Sequence, residues 1–500
     1  MTDMSDNDTS RIANLDPQPV WRFFTALSAV PRPSKHEELV RQHVRRCAEQ
    51  AGLSVREDQV GNLLIKVPAS PGCENAPTVV LQGHLDMVPE KNADKEHDFE
   101  KDPIELLLTT EAETGEQIVT ANGTTLGADN GIGLALAWAA ATEPDVRHGP
   151  LELLCTVDEE AGMTGAKALS SDFFEGNILI NLDSEEDDAI YIGCAGGCDN
   201  TLTWKLPLEA AGDGCQLCRV TVRGLRGGHS GGDIHENRAN AIVTLARVLL
   251  AGGDGLRLRE MAGGSKRNVI PREASAVVAV PADAVPALRA AIETERAAVV
   301  ERSAEPQVEI ALETIADGQQ ECLGPAETRR LLSTLAALPN GVLGVHPRMT
   351  DLVQTSNNVA VISTVADAGR LHVRVETLAR SSSAAWLHAA RDQIAAVAAL
   401  AGAGFESGNE YPGWEPNPDS PLLAVCRRVY QQVFDREPLV TAIHAGLECG
   451  IINERAGGRL DAVSFGPNIR GAHSPDERVY VASVARIWKL LKAVLAELAG

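Results

Sequence analysis

Positive charge is what this chain is short of. Its 45 Lys and Arg face 69 Asp and Glu, a formal net charge of -24. That deficit argues against nucleic-acid binding, which rests on Lys and Arg neutralising phosphates. It argues equally against an anionic membrane surface. The sequence also lacks an uninterrupted apolar stretch long enough to span a bilayer. Its opening residues, Met-Thr-Asp-Met-Ser-Asp-Asn-Asp, lack the basic-then-apolar order of a signal peptide. A soluble, cytoplasmic protein is expected, with neither nucleic acid nor membrane as partner. No short-period repeat is present. Cys215 and Cys218 have C-x-x-C spacing, but no nearby second pair completes a zinc knuckle. If the strand that follows includes both, their separation of three puts them on opposite faces. The ten cysteines read as reduced, partly buried thiols.

What is present is enough for a sizeable core: 500 residues, 44% hydrophobic, point to more than one domain. Up to about residue 195, strands alternate with helices. Leu151 to Val157 and Ile178 to Leu182 are short apolar runs, best read as buried strands. The pattern predicts an α/β catalytic domain with a mixed, mainly parallel sheet flanked by helices. Near residue 196 the texture changes to strands and helices of an α+β insert. Gly402, Gly404, Gly408 and the prolines at 412, 416 and 418 then mark a return to the first domain. The expected organisation is 1–195 and 405–500 as one discontinuous domain, with 196–404 inserted as a second domain.

The chemistry is concentrated at the ends of these strands. Residues 79 to 90, Val-Val-Leu-Gln-Gly-His-Leu-Asp-Met-Val-Pro-Glu, carry His84 and Asp86, which project to one face of an extended strand. A carboxylate beside an imidazole can fix the tautomer of a metal-binding His, although such a pair can also simply face water. Asp129 sits where a Gly-rich turn enters a helix, a place equally suited to an N-cap. Asp158, Glu159 and Glu160 follow a buried strand; adjacent carboxylates are usually solvated, but here they would repel unless cations or protons intervene. Asp183 repeats the strand-end arrangement, and His473 lies in the turn-rich loop Gly-Ala-His-Ser-Pro-Asp-Glu. Each signal is weak alone. Together, two imidazoles and three carboxylates can hold two divalent ions, leaving about one positive charge to acidify a water. A further carboxylate can take the proton. That is the chemistry of metal-assisted hydrolysis.

The motifs His84-Leu-Asp86, Gly127-Ala-Asp129-Asn130-Gly131, Asp158-Glu159-Glu160, Asn181-Leu-Asp183 and Gly471-Ala-His473-Ser-Pro-Asp476-Glu occur in this order. In that order they resemble the di-zinc aminoacylase, carboxypeptidase and dipeptidase family over nearly the whole chain. Three longer stretches resemble the branch that cleaves Xaa-His dipeptides: Gly227-Gly-His-Ser-Gly-Gly-Asp-Ile-His, Ala442-Ile-His-Ala-Gly-Leu-Glu-Cys-Gly, and Val463-Ser-Phe-Gly-Pro through Glu477.

The resemblance implies that His84 and Asp183 hold one metal, Glu160 and His473 the other, and that Asp129 bridges them. It makes Asp86 the clamp on His84, Glu159 the general base, and the Asp129-Asn130 bond cis. It implies that His229 polarises the scissile carbonyl in its own or a partner subunit's site, and that Arg380 clamps the substrate carboxylate, with Asn358 a weaker candidate for substrate binding. His444 and Glu448 are expected to line the pocket. Two Zn2+ ions are implied, with Mn2+ or Co2+ open alternatives. A short peptide is the implied substrate, the inserted domain 196–404 the implied lid and dimerisation domain, and a homodimer through it the implied assembly. An N-acyl amino acid or other short-peptide hydrolase shares the ligand set, and a non-catalytic binder has no use for Glu159. A metal-free α/β protein with solvated acidic loops is the remaining alternative.

Overall fold

The computed structural model describes residues 8–212, 214–316 and 320–500; the acidic opening at 1–7 lies outside them. The chain forms two compact units. One comprises residues up to Gly193 with Pro416–Ala442 and Leu447–Gly500; the other comprises Cys194–Glu415 and Ile443–Gly446.

The first unit is the α/β fold the strand pattern predicts. Its eight-stranded sheet runs in the order Ser54–Glu57, Leu63–Val67, Leu151–Thr156, Val79–His84, Ile178–Asn181, Asp461–Ser464, Ala189–Cys194, Leu439–Ile443. The third to sixth of these are mutually parallel. Every residue of Val79–His84 and Leu151–Thr156 is buried, as expected of parallel strands covered on both faces. Helix Gln18–Ser28 takes a proline in its first turn, where no intrahelical N–H is needed. It buries Val20, Phe23, Phe24 and Leu27, and Phe23 stacks on Trp138 of helix Ala128–Thr142 at 4.7 Å.

Register places the site. His84 is the partner of Thr156, and Gln82 the partner of Asn181. Three parallel strands therefore finish at one edge, where reactive groups of such sheets gather. A separate sheet of Leu106–Thr110, Gln117–Ala121, Arg478–Tyr480 and Ile469–Arg470 supplies a hairpin whose connection is the loop 471–477.

The second unit is built on a largely antiparallel sheet whose long strands are Gly196–Ala210, Val353–Asp367 and Arg370–Ser381. Helices Ala241–Ala251, Val285–Ser303, Pro325–Ala337 and Ala384–Leu400 send Leu245, Leu288, Leu331 and Ile394 into one core with Val220, Val278 and Val375. Asn240 caps the first of them, its side chain accepting the N–H groups of Ile242 and Val243.

The return to the first unit falls later than the expected 405. Gly404–Tyr411 is a strand hydrogen-bonded to Gly196–Ala210, so the second unit continues to Glu415. Cys218 joins the main core, while Cys215 packs on a second cluster with Leu217 and Cys322. The two thiols thus lie on opposite faces of strand Cys215–Arg223, and no disulfide joins any of the ten cysteines.

Candidate metal centre

At the shared strand edge of the first unit, four side chains converge on that of Asp129. His84 Nε2 lies 3.0 Å from Asp129 Oδ1 and 3.3 Å from Asp183 Oδ1. His473 Nε2 lies 3.2 Å from Asp129 Oδ2 and 2.9 Å from Glu160 Oε2. Potential ligand atoms of His84, Asp129 and Asp183 are all within 4.8 Å of one another, and so are those of Asp129, Glu160 and His473. Asp129 belongs to both groups and offers one oxygen to each imidazole.

The electrostatics show more negative charge than the protein itself balances. Burial drives Asp183 up to about 7, against the pull of His84. Burial also raises Glu159 well above the carboxylate range, with Asp183, Glu448 and Glu160 adding to it and His84 opposing. Glu448 is pushed to about 8, chiefly by burial. The imidazoles shift the other way. Hydrogen bonds to Asp129 and Glu160 carry His473 to about 11. Burial would lower His84, but Asp183, Asp129 and Asp86 raise it well above its ordinary value. Against burial, the two imidazoles hold Asp129 well below the carboxylate range. Asp183 Oδ1 and Glu160 Oε1 are buried without a hydrogen-bond partner among the described residues. Imidazole nitrogens and carboxylate oxygens with unfilled valence around a shared carboxylate fit a pair of divalent cations.

Positioning comes from groups behind this layer. Asp86 touches three of the elements at once. Its Oδ1 accepts the N–H of Glu159 at 3.0 Å and lies 3.4 Å from His84 Nδ1. Its Oδ2 accepts the N–H of Glu160 at 3.2 Å and the Ser34 hydroxyl at 2.8 Å. The Asp129-Asn130 bond is cis, as the resemblance implies. The Asn130 amide donates to Leu182 O at 2.7 Å, tying the Asp129 turn to the strand end at Asp183. Gly133 makes room for this: a Cβ there would stand 2.6 Å from Asn130 Oδ1.

Two positioning residues lie beyond the reading of the sequence. The buried Arg32 donates to the carbonyls of Leu85, Asp86 and Gly127, joining the His84 strand to the Asp129 loop. Glu477 accepts four successive backbone N–H groups, from Leu126, Gly127, Ala128 and Asp129, at 2.8, 3.0, 2.7 and 3.3 Å. Its position inside the His473 motif is the one signal that could have drawn attention to it. Glu477→Gln turns an amide N–H2 toward that nest of donors. Metal affinity should fall by about 10- to 100-fold, the usual cost of losing support behind a ligand. Metal titration of the refilled apoprotein measures it, and an unchanged affinity would remove Glu477 from this role.

Within the second unit, His229, Arg380 and His444 share a polar neighbourhood. Arg380 is only 5% exposed; it donates to Tyr411 Oη at 3.1 Å and reaches Ser230 Oγ at 3.5 Å. No carboxylate among the described residues pairs with it, which makes it a guanidinium equipped for an anion. The Nδ1 of His229 accepts the N–H groups of Gly231 and Gly232, at 3.3 and 3.0 Å. That fixes its proton on Nε2 when neutral, and desolvation followed by the charge of Arg380 lowers its pKa. His444 contacts Ser356 Oγ at 2.7 Å, and its pKa is driven down to about 3 by burial and by Arg380. Asn358 differs from the others. Its Nδ2 donates to the carbonyls of Arg267 and Val269, at 3.1 and 2.8 Å, and so supports the strand paired with Gly228–His229. Glu448 belongs to the first unit, where its Oε2 accepts from Gln82 and Thr156, both at 2.6 Å.

Residues 80–497 match the model of peptidase family M20/M25/M40. The chain is 41% identical over 493 residues to the cytosol non-specific dipeptidase of Escherichia coli, covering 98% of this chain and 99% of that one. The crystal structure of aminoacylhistidine dipeptidase from Vibrio alginolyticus is similar with a TM-score of 0.88 and 41% identity, over 97% of this chain and 98% of the other. Aminopeptidase PepT from Bacillus cereus, 16% identical, shares the fold with a TM-score of 0.60 over 97% of this chain and all of its own.

Proposed function

The chain belongs to peptidase family M20/M25/M40 and is a metallopeptidase, and from that premise we propose that it hydrolyses Xaa-His dipeptides at a centre of two divalent metals. His84 and Asp183 would hold one ion, Glu160 and His473 the other, and Asp129 both. Zinc suits the mixed imidazole and carboxylate set, with manganese and cobalt the alternatives. The observation that carries the reading is Asp129, whose two oxygens face two imidazoles from opposite sides.

Two metal ions held there supply the Lewis acidity that acidifies water and polarises a carbonyl. Glu159 is the group left to move the proton. Its backbone is pinned by Asp86, and its burial favours the protonated form that the reaction passes through. It takes a proton from water as the C–O bond forms, then gives it to the amide nitrogen as the C–N bond breaks. His229, with Nε2–H free to donate, is assigned to the developing oxyanion. Arg380 is assigned to the substrate's C-terminal carboxylate.

The histidine preference rests on similarity to the Vibrio enzyme, whose name states it. The Escherichia coli relative, named non-specific, favours a broader dipeptide range as a second reading. A cytoplasmic location is supported by the same relative's name. A homodimer through the second unit is supported by strand Gly341–Val345, which exposes Val342, Leu343 and Val345.

A panel of Xaa-His dipeptides, other dipeptides and N-acetyl amino acids tests the assignment. Cleavage of β-alanyl-histidine and other Xaa-His substrates well above N-acetyl amino acids is expected. Arg380→Ala should raise KM for the best dipeptide by about 100-fold, the worth of a charge-assisted pair. Preferential cleavage of N-acetyl amino acids would sink the dipeptidase reading.

A further inference from the structure

Strand Val79–His84 is buried along its whole length, yet it carries Gln82, and the buried strand Ile178–Asn181 ends in Asn181. The two amides belong to register partners, and both residues are 0% exposed. A side-chain amide has one accepting end and one donating end, so two of them joined in line have a direction. Here the direction is explicit. Gln82 Nε2 donates to Glu448 Oε2 at 2.6 Å. Gln82 Oε1 accepts from Asn181 Nδ2 at 2.6 Å. Asn181 Oδ1 in turn accepts the backbone N–H of Asp183 at 3.2 Å, together with the Ser464 hydroxyl.

Both ends enforce the same order. The N–H of Asp183 can only donate, so Asn181 must turn its oxygen toward it. At the far end Glu448 offers an oxygen, which also accepts the Thr156 hydroxyl at 2.6 Å. Glu448 is fully buried and joins none of the candidate ligand groups. Its other oxygen, Oε1, has no hydrogen-bond partner among the described residues. A proton on Oε1 would therefore leave Oε2 still accepting. What the chain of amides requires of Glu448 is an acceptor, not a charge.

We propose that Glu448 is a positioning residue for the ligand Asp183, acting through the amides of Gln82 and Asn181. This step rests on the two-metal reading above. The same Oε2 holds Thr156, the register partner of His84, so one oxygen steadies the strands of both ligands. Ser464, bonded to Ser184 Oγ as well as to Asn181, braces the far side of Asp183. Without the acceptor, the Gln82 amide is free to invert and Asn181 can follow it. An inverted Asn181 sets its N–H2 against the N–H of Asp183, which displaces the turn that presents the ligand.

Zinc titration of the metal-free full chain tests this, comparing wild type with Glu448→Met, Gln82→Met, the double variant and Glu448→Gln. Wild type should bind two ions. In each Met variant one binding step should weaken by about 10- to 100-fold, the usual cost of losing support behind a ligand, while the other step stays. The double variant should lose no more than the worse single one, because the parts act in series. Glu448→Gln keeps an oxygen at the Oε2 position and should bind as wild type does. If it loses as much as Gln82→Met, the charge is what matters and the proposal is overturned; this comparison stands even where Glu448→Met does not fold. Unchanged affinity in the Met variants overturns it too, as do losses that add in the double variant. A wild type that binds fewer than two ions refutes the two-metal reading instead. Melting of the metal-free proteins then decides: losses that fail to add uphold the chain of amides, and additive losses end it.

Discussion

Glu159→Gln should bind both metals and lose between about 100- and 10,000-fold in kcat, the range for removing a general base. The substitution keeps the shape of the side chain and the backbone N–H that Asp86 accepts, so the turn should stay in place. What disappears is the ability to take up a proton. Glu159 belongs to neither of the two ligand groups that share Asp129, although it lies near enough to His84 and Glu160 to form a group of its own. Counting metal beside measuring kcat separates these roles. A variant that has lost a metal ion would make Glu159 a ligand, and one that keeps both and still turns over at the wild-type rate would end the base assignment.

Stripping the metals with a chelator should abolish activity and leave a protein whose stability falls as pH rises. The sign follows from which state holds protons more tightly. Asp183 and Glu448 in the folded chain keep theirs to about 7 and about 8, whereas the unfolded chain releases them near 4. Between those limits the folded state binds more protons, so raising the pH destabilises it. His473 acts in the same direction: its stabilisation is complete below about 6.5, the unfolded value, and is lost toward about 11. Asp129, held low, contributes a constant amount through this window and loses it only in acid. The metal-free protein should therefore melt at a temperature lower by on the order of 5 °C at pH 8.5 than at pH 5.5. The metal-loaded protein, whose cations replace those protons, should be much flatter. Melting curves of both forms across that range check it, and a metal-free protein that gains stability with pH contradicts the charge balance described here.

The candidate centre was legible in the sequence because its parts are local. A fully buried strand ends in His84, another in the turn of Asp158, Glu159 and Glu160, and a third near Asp183. Each motif spans a few residues, and strand ends are where such groups collect. The groups that hold those motifs together were not legible, because their contacts have no local signature. Glu477 meets its four N–H donors across some 350 positions of chain, and Arg32 reaches Gly127 across 95. The fold shows the same division. Helices with a clear apolar stripe, such as Ala384–Leu400 and Pro325–Ala337, are readable from their period. Gly404–Tyr411 is not: its glycines read as a break, yet it is a largely exposed strand held by backbone hydrogen bonds to Gly196–Ala210, which need no apolar side chains. Strands Leu106–Thr110 and Gln117–Ala121 are hard to read for another reason: each is five residues long and only partly buried, too short for a clear alternation.

The hairpin that carries His473 has a consequence for how the molecule is made. Four of the five side chains of the candidate centre, Asp129 included, have been synthesised once residue 183 is in the chain, and the fifth follows only at 473, 290 residues later. At ribosomal speeds of about 5–20 residues per second, that interval lasts roughly 15–60 s. Glu477 and strand Arg478–Tyr480, which anchor the loop to Gln117–Ala121, come later still. A nascent chain thus carries a half-built acidic cluster with one imidazole for most of its time on the ribosome.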